Sequence, residues 1–274
     1  MNQLSTEKRG QIVAALVEGN SIRSIVRMKG ASKSTIAKLL VELGAACSDY
    51  LDKNIVNLNS KRIQCDEIWS FVGAKDKNVP AARKDEFGIG SAWTWVAIDA
   101  DSKLICSWLV GKRDPGCATE FIQDLAGRLR NRVQLTTDGL KMYLTAVADG
   151  FGENIDYAML VKVYGNDPEG EKRYSPAICT DCKKEAKVGS PDEKHISTSY
   201  IERQNLTMRM GIRRFTRLTN AFSKKIENHI AAIALHYMYY NYCRIHQTLR
   251  VTPAMQAGIA DHVWSIQEIV SLPK

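Results

Sequence analysis

Apolar residues recur at helical spacing through the first forty-odd positions of the chain. Residues 6–18 place Ile12, Val13 and Leu16 on one face, which predicts a helix. Ser21 can cap a second helix bearing Ile22, Ile25 and Val26, and Lys29-Gly30-Ala31 then makes a short turn. Ser32 can cap a third helix with Ile36, Leu39, Leu40 and Leu43 inward, and the pattern predicts a stop near Gly44. Short helices around a glycine-containing turn form the helix-turn-helix pattern. In that pattern the last helix enters the DNA major groove and its first side chains reach base edges. Those positions hold Ser32, Lys33, Ser34, Thr35 and Lys38, all small polar or basic. A helical bundle that only packs would share the same periodicity.

After residues 46–61, expected as a linker, the period changes to that of strands. Strands are expected at 62–72, 93–99, 104–110, 133–137 and 155–163, with residues 100–103 as a hairpin turn. Asp114 and Pro115 start a helix whose inner face is Phe121, Ile122, Leu125 and Leu129, and residues 141–148 predict another. This order implies an α/β fold: a mixed sheet flanked by helices, preceded by a small all-α domain at 1–45. Residues 164–194 are rich in Gly, Pro, Lys, Asp and Glu and are expected to be an irregular insertion. Helical pattern returns at 199–210 and at 223–240, where Ile226, Ile230, Ile233 and Tyr237 share a stripe. The catalytic region is thus expected at 62–240, with a C-terminal tail at 241–274.

Composition narrows the class. Of 274 residues, 45% are hydrophobic and 25% charged, the profile of a soluble globular protein. No apolar run approaches the ~20 residues of a membrane helix, and residues 1–10 lack the apolar core of a signal peptide. The expectation is a cytoplasmic protein with no membrane partner, associated with the nucleoid when bound to DNA. Seven cysteines, an odd number and scattered, argue for free thiols rather than a disulfide framework. Cys179-x-x-Cys182 with His195 supplies three of the four ligands of a structural zinc site. The formal net charge of +8 favours a polyanionic partner. The distribution sharpens this: Arg203, Arg209, Arg213, Arg214, Arg217, Lys224, Lys225, Arg244 and Arg250 cluster in a span whose only acids are Glu202 and Glu227. A solvated helix face would also carry such charges.

Three acids stand at positions where chemistry is possible. Asp66 lies inside the first strand, Asp138 ends the fourth, and Glu202 lies in the first turn of a helix. Mg²⁺ is a hard ion that takes carboxylate oxygens together with phosphate oxygens. Two such ions can stabilise the attacking and leaving oxygens of an in-line phosphodiester displacement. Each acid also fits a local role. Asp66 could face solvent, Asp138-Gly139 is an ordinary turn dipeptide, and Ser199 with Glu202 spells a capping box.

The stretch Ile196-Ser197-Thr198-Ser199-Tyr200-Ile201-Glu202-Arg203-Gln204-Asn205-Leu206-Thr207-Met208-Arg209-Met210 carries a more specific signal. So do Arg213-Arg214-Phe215-Thr216-Arg217 through Lys224-Lys225, and Tyr240-Asn241-Tyr242-Cys243-Arg244-Ile245-His246 with Thr252-Pro253-Ala254. With Asp66-Glu67-Ile68-Trp69-Ser70-Phe71-Val72, these resemble the DDE transposases of bacterial insertion sequences, in particular the insertion-sequence-one type, over most of residues 60–265. The resemblance implies an RNase H-like catalytic fold in which Asp66, Asp138 and Glu202 bind two Mg²⁺ ions, with Mn²⁺ able to substitute. It implies cleavage at element ends followed by strand transfer. Arg209, seven residues after Glu202, takes the position of a DNA-facing basic residue, with Arg203, Arg213, Arg214, Arg217, Lys224 and Lys225 as further phosphate contacts. The expected partner is double-stranded DNA, both element ends and target. An element has two ends, so a homo-oligomer, at least a dimer, is expected. Two rival readings are a non-catalytic DNA-binding regulator and an RNase H-like nuclease that cuts without joining.

Overall fold

The protein was analysed as a computed structural model, which describes residues 4–84, 86–165, 179–216 and 219–272. The N-terminal helices are α1 (Thr6–Val17), α2 (Ile22–Lys29) and α3 (Lys33–Asn54). Each begins where a serine side chain accepts a backbone N–H from three residues on: Ser5 from Lys8, Ser21 from Ser24 and Ser32 from Thr35. Gly30, at φ 66°, closes α2 in the left-handed conformation that glycine adopts without strain.

The third helix does not stop at Gly44. It runs on to Asn54, so much of the expected linker is helical. The glycine is there for packing. A Cβ at position 44 would come within 2.4 Å of Ala231 Cβ and 2.8 Å of the Ala231 carbonyl oxygen. Glycine lets two helix backbones approach closely, and it tolerates the helix interior because that contact compensates for its poor propensity.

The remaining elements are β1 (Arg62–Val72), β2 (Gly90–Asp99), β3 (Ile105–Gly111), α4 (Pro115–Arg128), β4 (Gln134–Asp138), α5 (Met142–Phe151), β5 (Asp156–Tyr164), β6 (Cys179–Val188), α6 (Ser199–Gly211), α7 (Ile226–Met238), α8 (Pro253–Gln256) and α9 (Ile266–Ser271). The six strands form one sheet in the order β3-β2-β1-β4-β5-β6. The first three pair antiparallel; β1–β4 and β4–β5 are parallel, and β6 is antiparallel at the edge. Parallel neighbours need long crossovers, which α4 and α5 supply. This mixed sheet with flanking helices is the expected RNase H-like arrangement.

β6 corrects the expectation of an irregular insertion over residues 179–188, while residues 166–178 of that expected insertion lie outside the described residues. Its residues, among them Lys183, Lys184, Glu185 and Lys187, are almost all exposed, so the strand carries no alternating pattern. Backbone pairing with β5 holds it, and charged side chains suit an edge that must not pair further.

One apolar core runs from Ile12 and Ile36 through Trp95, Phe121 and Leu135 to Tyr237, Ile269 and Val270. It joins the N-terminal helices, the sheet and the C-terminal tail. Asn241, fully buried, bonds to β3: its Oδ1 accepts from the Ile105 N–H (3.0 Å) and its Nδ2 donates to the Ile105 carbonyl (3.1 Å). Among the described residues no helix is long and apolar enough to cross a membrane.

Candidate active site and basic surface

β1 and β4 lie side by side in parallel, with Cys65 opposite Thr137. The next residue on each strand is Asp66 or Asp138, so the register itself brings these two acids together. Strand alternation sends Glu67 to the other face of β1, where Arg113 Nε lies 3.2 Å from its carboxylate. Even so, one oxygen each from Asp66, Glu67 and Asp138 lies within 4.8 Å of the others.

The remaining contacts orient these groups. Asp66 Oδ1 accepts the Glu67 N–H (2.8 Å) and Oδ2 accepts from Asn205 Nδ2 (2.9 Å). Asp138 Oδ1 accepts the Leu140 N–H (3.0 Å), which fixes the turn after β4. Asn205 belongs to α6, and α6 is pinned to β1 by a second contact. The buried Gln64 side chain accepts the N–H groups of Tyr200 and Ile201 at 2.9 and 3.1 Å. These are orphan donors of the first helical turn, satisfied from a strand far away in sequence.

The start of α6 corrects the capping-box expectation: the Ser197 hydroxyl accepts the Ser199 N–H and the Thr198 carbonyl accepts the Glu202 N–H. The N-cap is Thr198, whose side chain makes no capping bond, and Ser199 is the first helical residue. Glu202 does not reach back to Ser199. Its Oε1 accepts from Lys162 Nζ and Thr198 Oγ1, both at 2.5 Å. Glu202 therefore stands one turn before Asn205 on α6, paired to a lysine of β5, and outside the tight group of three acids.

The electrostatics follow from crowding. Asp66 is pushed up to about 7, first by loss of water, then by Asp138, with Glu202 adding to the repulsion; the Glu67 N–H and Asn205 oppose the shift. Glu67 is also pushed up to about 7. Burial is again the main cause, the Tyr143 hydroxyl pulls the other way, and Asp138 and Asp66 add repulsion. Glu67 Oε1 is buried and completes no hydrogen bond of ordinary geometry. Hard oxygen donors thus converge where like charge repels. The chemistry of this donor set fits a divalent cation.

The sequence pointed to Asp66 and Asp138 but not to their close neighbours. Glu67 was hidden by strand alternation. Asn205 could have been found, because it lies three residues after Glu202 and so shares its helix face. Gln64 could have been found too, two residues before Asp66 on the same strand face.

The expected DNA contacts are spread over two regions. At the start of α3, Ser32, Lys33, Ser34 and Lys38 are exposed and Thr35 is half-buried. The Ser32 hydroxyl bonds those of Ser34 (2.9 Å) and Thr35 (2.8 Å). Arg203 and Arg213 are exposed, and Arg209 is half-buried with interactions inside the chain. Arg214 turns inward: Nη1 donates to Ser223 Oγ (2.9 Å), and desolvation lowers its guanidinium to about 10. Lys224 Nζ sits 3.1 Å from the centre of the Phe222 ring, and Lys225 precedes α7. Arg217 lies outside the described residues.

The Cys179 and Cys182 sulfurs are 3.7 Å apart on exposed β6. His195 is engaged elsewhere, with Arg62 and Asp192.

No family model matches the chain, and no curated protein matches it. Among solved structures it is similar to a piggyBac transposase in a synaptic complex with hairpin DNA. That match has a TM-score of 0.39 and 12% identity, covering 98% of this chain and 71% of that one. It is also similar to a chain of a pre-cleavage Mos1 transpososome, with a TM-score of 0.23 and 11% identity, covering 57% of this chain and 60% of that one.

Proposed function

We propose that this chain is a metal-dependent enzyme that cuts and joins DNA, a transposase of the DDE insertion-sequence type. The observation that carries the reading is the convergence of Asp66, Glu67 and Asp138 beside the helix that bears Glu202 and Asn205. Structural ion pairs also perturb carboxylates, but here three acids crowd together and, among the described residues, the only cation paired with them is Arg113 on Glu67.

Asp66 and Asp138 would hold Mg²⁺ or Mn²⁺, with Glu67 and Glu202 the acids placed to complete the set. Bound there, the ions supply positive charge to the attacking and leaving oxygens of a phosphodiester displacement. The protein's part is placement. Asn205 fixes the Asp66 carboxylate, and Gln64 anchors α6 to β1. Lys162 holds Glu202 at the margin of the site, neutralising it until a stronger cation competes. The exposed Arg203, Arg213, Lys224 and Lys225 would hold phosphates, which position DNA without reading it. Ser32, Lys33, Ser34, Thr35 and Lys38 would meet base edges in the major groove. Pairing two element ends calls for at least a dimer.

The test is incubation of the full chain with the DNA that flanks its own gene, with Mg²⁺ or Mn²⁺, followed by mapping of nicks and joined products. Nicks at defined ends, their loss in Asp66→Asn and Asp138→Asn, and joining to a target are the expected results. Cutting without joining would leave a nuclease. Binding with no metal-dependent nick at all would leave a DNA-binding regulator.

A further inference from the structure

A cavity of about 710 Å³ lies between the N-terminal helices on one side and residues 211–214 and 219–236 on the other. That volume is in the range of small-molecule sites. Its walls carry the cations Arg23, Lys33, Arg213, Arg214, Lys224 and Lys225, and no carboxylate is among the described lining residues. Two of these cations are held in place, Arg214 by Ser223 and Lys224 over the Phe222 ring. Lys33 and Lys224 come from different elements and repel one another across the space. Gathering like charge in this way is unfavourable unless an anion enters.

The rest of the wall is different in kind. Val17, Ile22, Leu40 and Leu235 give it an apolar side. His236 also lines it and is only 4% exposed, yet neither ring nitrogen has a hydrogen-bond partner among the described residues. Gly211 packs closely against one side of the ring, where a Cβ would come 3.1 Å from His236 Cε1. Burial keeps this imidazole neutral. A neutral imidazole offers one donor and one acceptor. A phosphate oxygen can meet only the donor, whereas a nucleobase, which carries donors and acceptors, can meet either nitrogen.

We propose that this cavity is a nucleotide site, in which the cationic rim holds the phosphate and the apolar wall with His236 receives the base. The nucleotide could be free or belong to a DNA strand, and the chemistry recognised is the same. The site is separate from the acid cluster, and its occupancy is measurable without metal, so failure of DNA cutting leaves it standing.

The full chain, in a metal chelator, is titrated calorimetrically with the four deoxynucleoside 5′-monophosphates, with the matching nucleosides and with inorganic phosphate. At least one monophosphate should bind saturably, about tenfold or more tighter than its nucleoside and than phosphate. Arg213→Ala combined with Lys224→Ala should weaken the nucleotide by about tenfold or more. His236→Phe should weaken the nucleotide but not phosphate, and His236→Gln, which keeps a donor and an acceptor, should restore part of the loss. If the His236 variants do not fold, as judged by circular dichroism, the rim variant decides. A 5′-phosphorylated tetranucleotide that displaces the bound monophosphate identifies a DNA strand as the source; failure to displace identifies the free nucleotide. No saturable binding up to about 1 mM, phosphate binding as tightly as nucleotide, or a rim variant without effect would each overturn the proposal.

Discussion

Asp66→Asn should make the metal-free protein more stable at alkaline pH, although it removes a residue proposed to be essential. The Asp66 carboxyl is moved from 3.8 to about 7, so the folded state resists its ionisation. A shift of roughly three units corresponds to about 4 kcal/mol once the pH is well above 7. The sign follows from linkage. A carboxyl raised on folding contributes stability that is fully present below its unfolded pKa and lost as pH rises through the folded one. On that scale the penalty is near zero at pH 3.8, about 1.5 kcal/mol at pH 5 and about 4 kcal/mol at pH 8.5. Asp66 and Glu67 repel one another and residual solvation screens them, so we expect about 2–4 kcal/mol at the alkaline end.

Asparagine is nearly isosteric and keeps the local bonds. Its oxygen still accepts the Glu67 N–H. Its amide can donate to Asn205, whose Oδ1 has no partner now, once the Asn205 amide turns over. The assay is urea unfolding of both proteins at pH 8.5 and pH 5 in a chelator, then with Mg²⁺. The variant should gain at pH 8.5, gain less at pH 5, and lose most of the metal-induced stabilisation, which for the parent protein reaches about 2.7 kcal/mol at a hundredfold excess over Kd. A variant less stable than the parent at pH 8.5, or a gain that does not shrink at pH 5, would refute the account of the site as a strained cluster of like charge.

Three further predictions test the supports of the site. Gly44→Ala, a change that favours an exposed helix by about 1 kcal/mol, should here cost about 1–3 kcal/mol in urea unfolding, because the methyl meets Ala231; a neutral or stabilising result would show that α3 and α7 can separate freely. Gln64→Ala should cost about 1–2 kcal/mol by orphaning the Tyr200 and Ile201 N–H groups, and should slow nicking as α6 loses its hold on β1; unchanged stability would mean that water caps the helix as well. Lys162→Met should tighten Mn²⁺ binding by about tenfold in calorimetry if Glu202 is a ligand that Lys162 now occupies, whereas an unchanged affinity would take Glu202 off the list of ligands.

The sequence was legible where neighbours along the chain decide the structure. Ser21, Ser32 and Asp114 cap helices because the N–H groups they accept are three residues away. It misled where a distant group replaces a local one. Gly44 has the residue type of a helix stop, but Ala231 gives it a different use. Ser199 and Glu202 have the spacing of a capping box, but the Ser197 hydroxyl accepts the Ser199 N–H and the Thr198 carbonyl accepts the Glu202 N–H, which leaves the Glu202 side chain free to bind Lys162. β6 reads as a loop because an edge strand exposed on both faces needs no apolar residue to be held. The acids follow the same division. Asp66 was legible from its strand, but no local pattern shows that β4 will dock beside β1 with Asp138 level with it. Local rules are broken most at this point of the sheet: a strand bears two consecutive acids, both pushed up to about 7. Such violations are expected at functional sites, where stability is given up for chemistry. Thr94 and Tyr242 are also buried with a hydroxyl that lacks a bonded partner, so an open group alone does not mark a site. His236 differs from them in lining the cationic cavity with both ring nitrogens open, where an entering molecule can meet them.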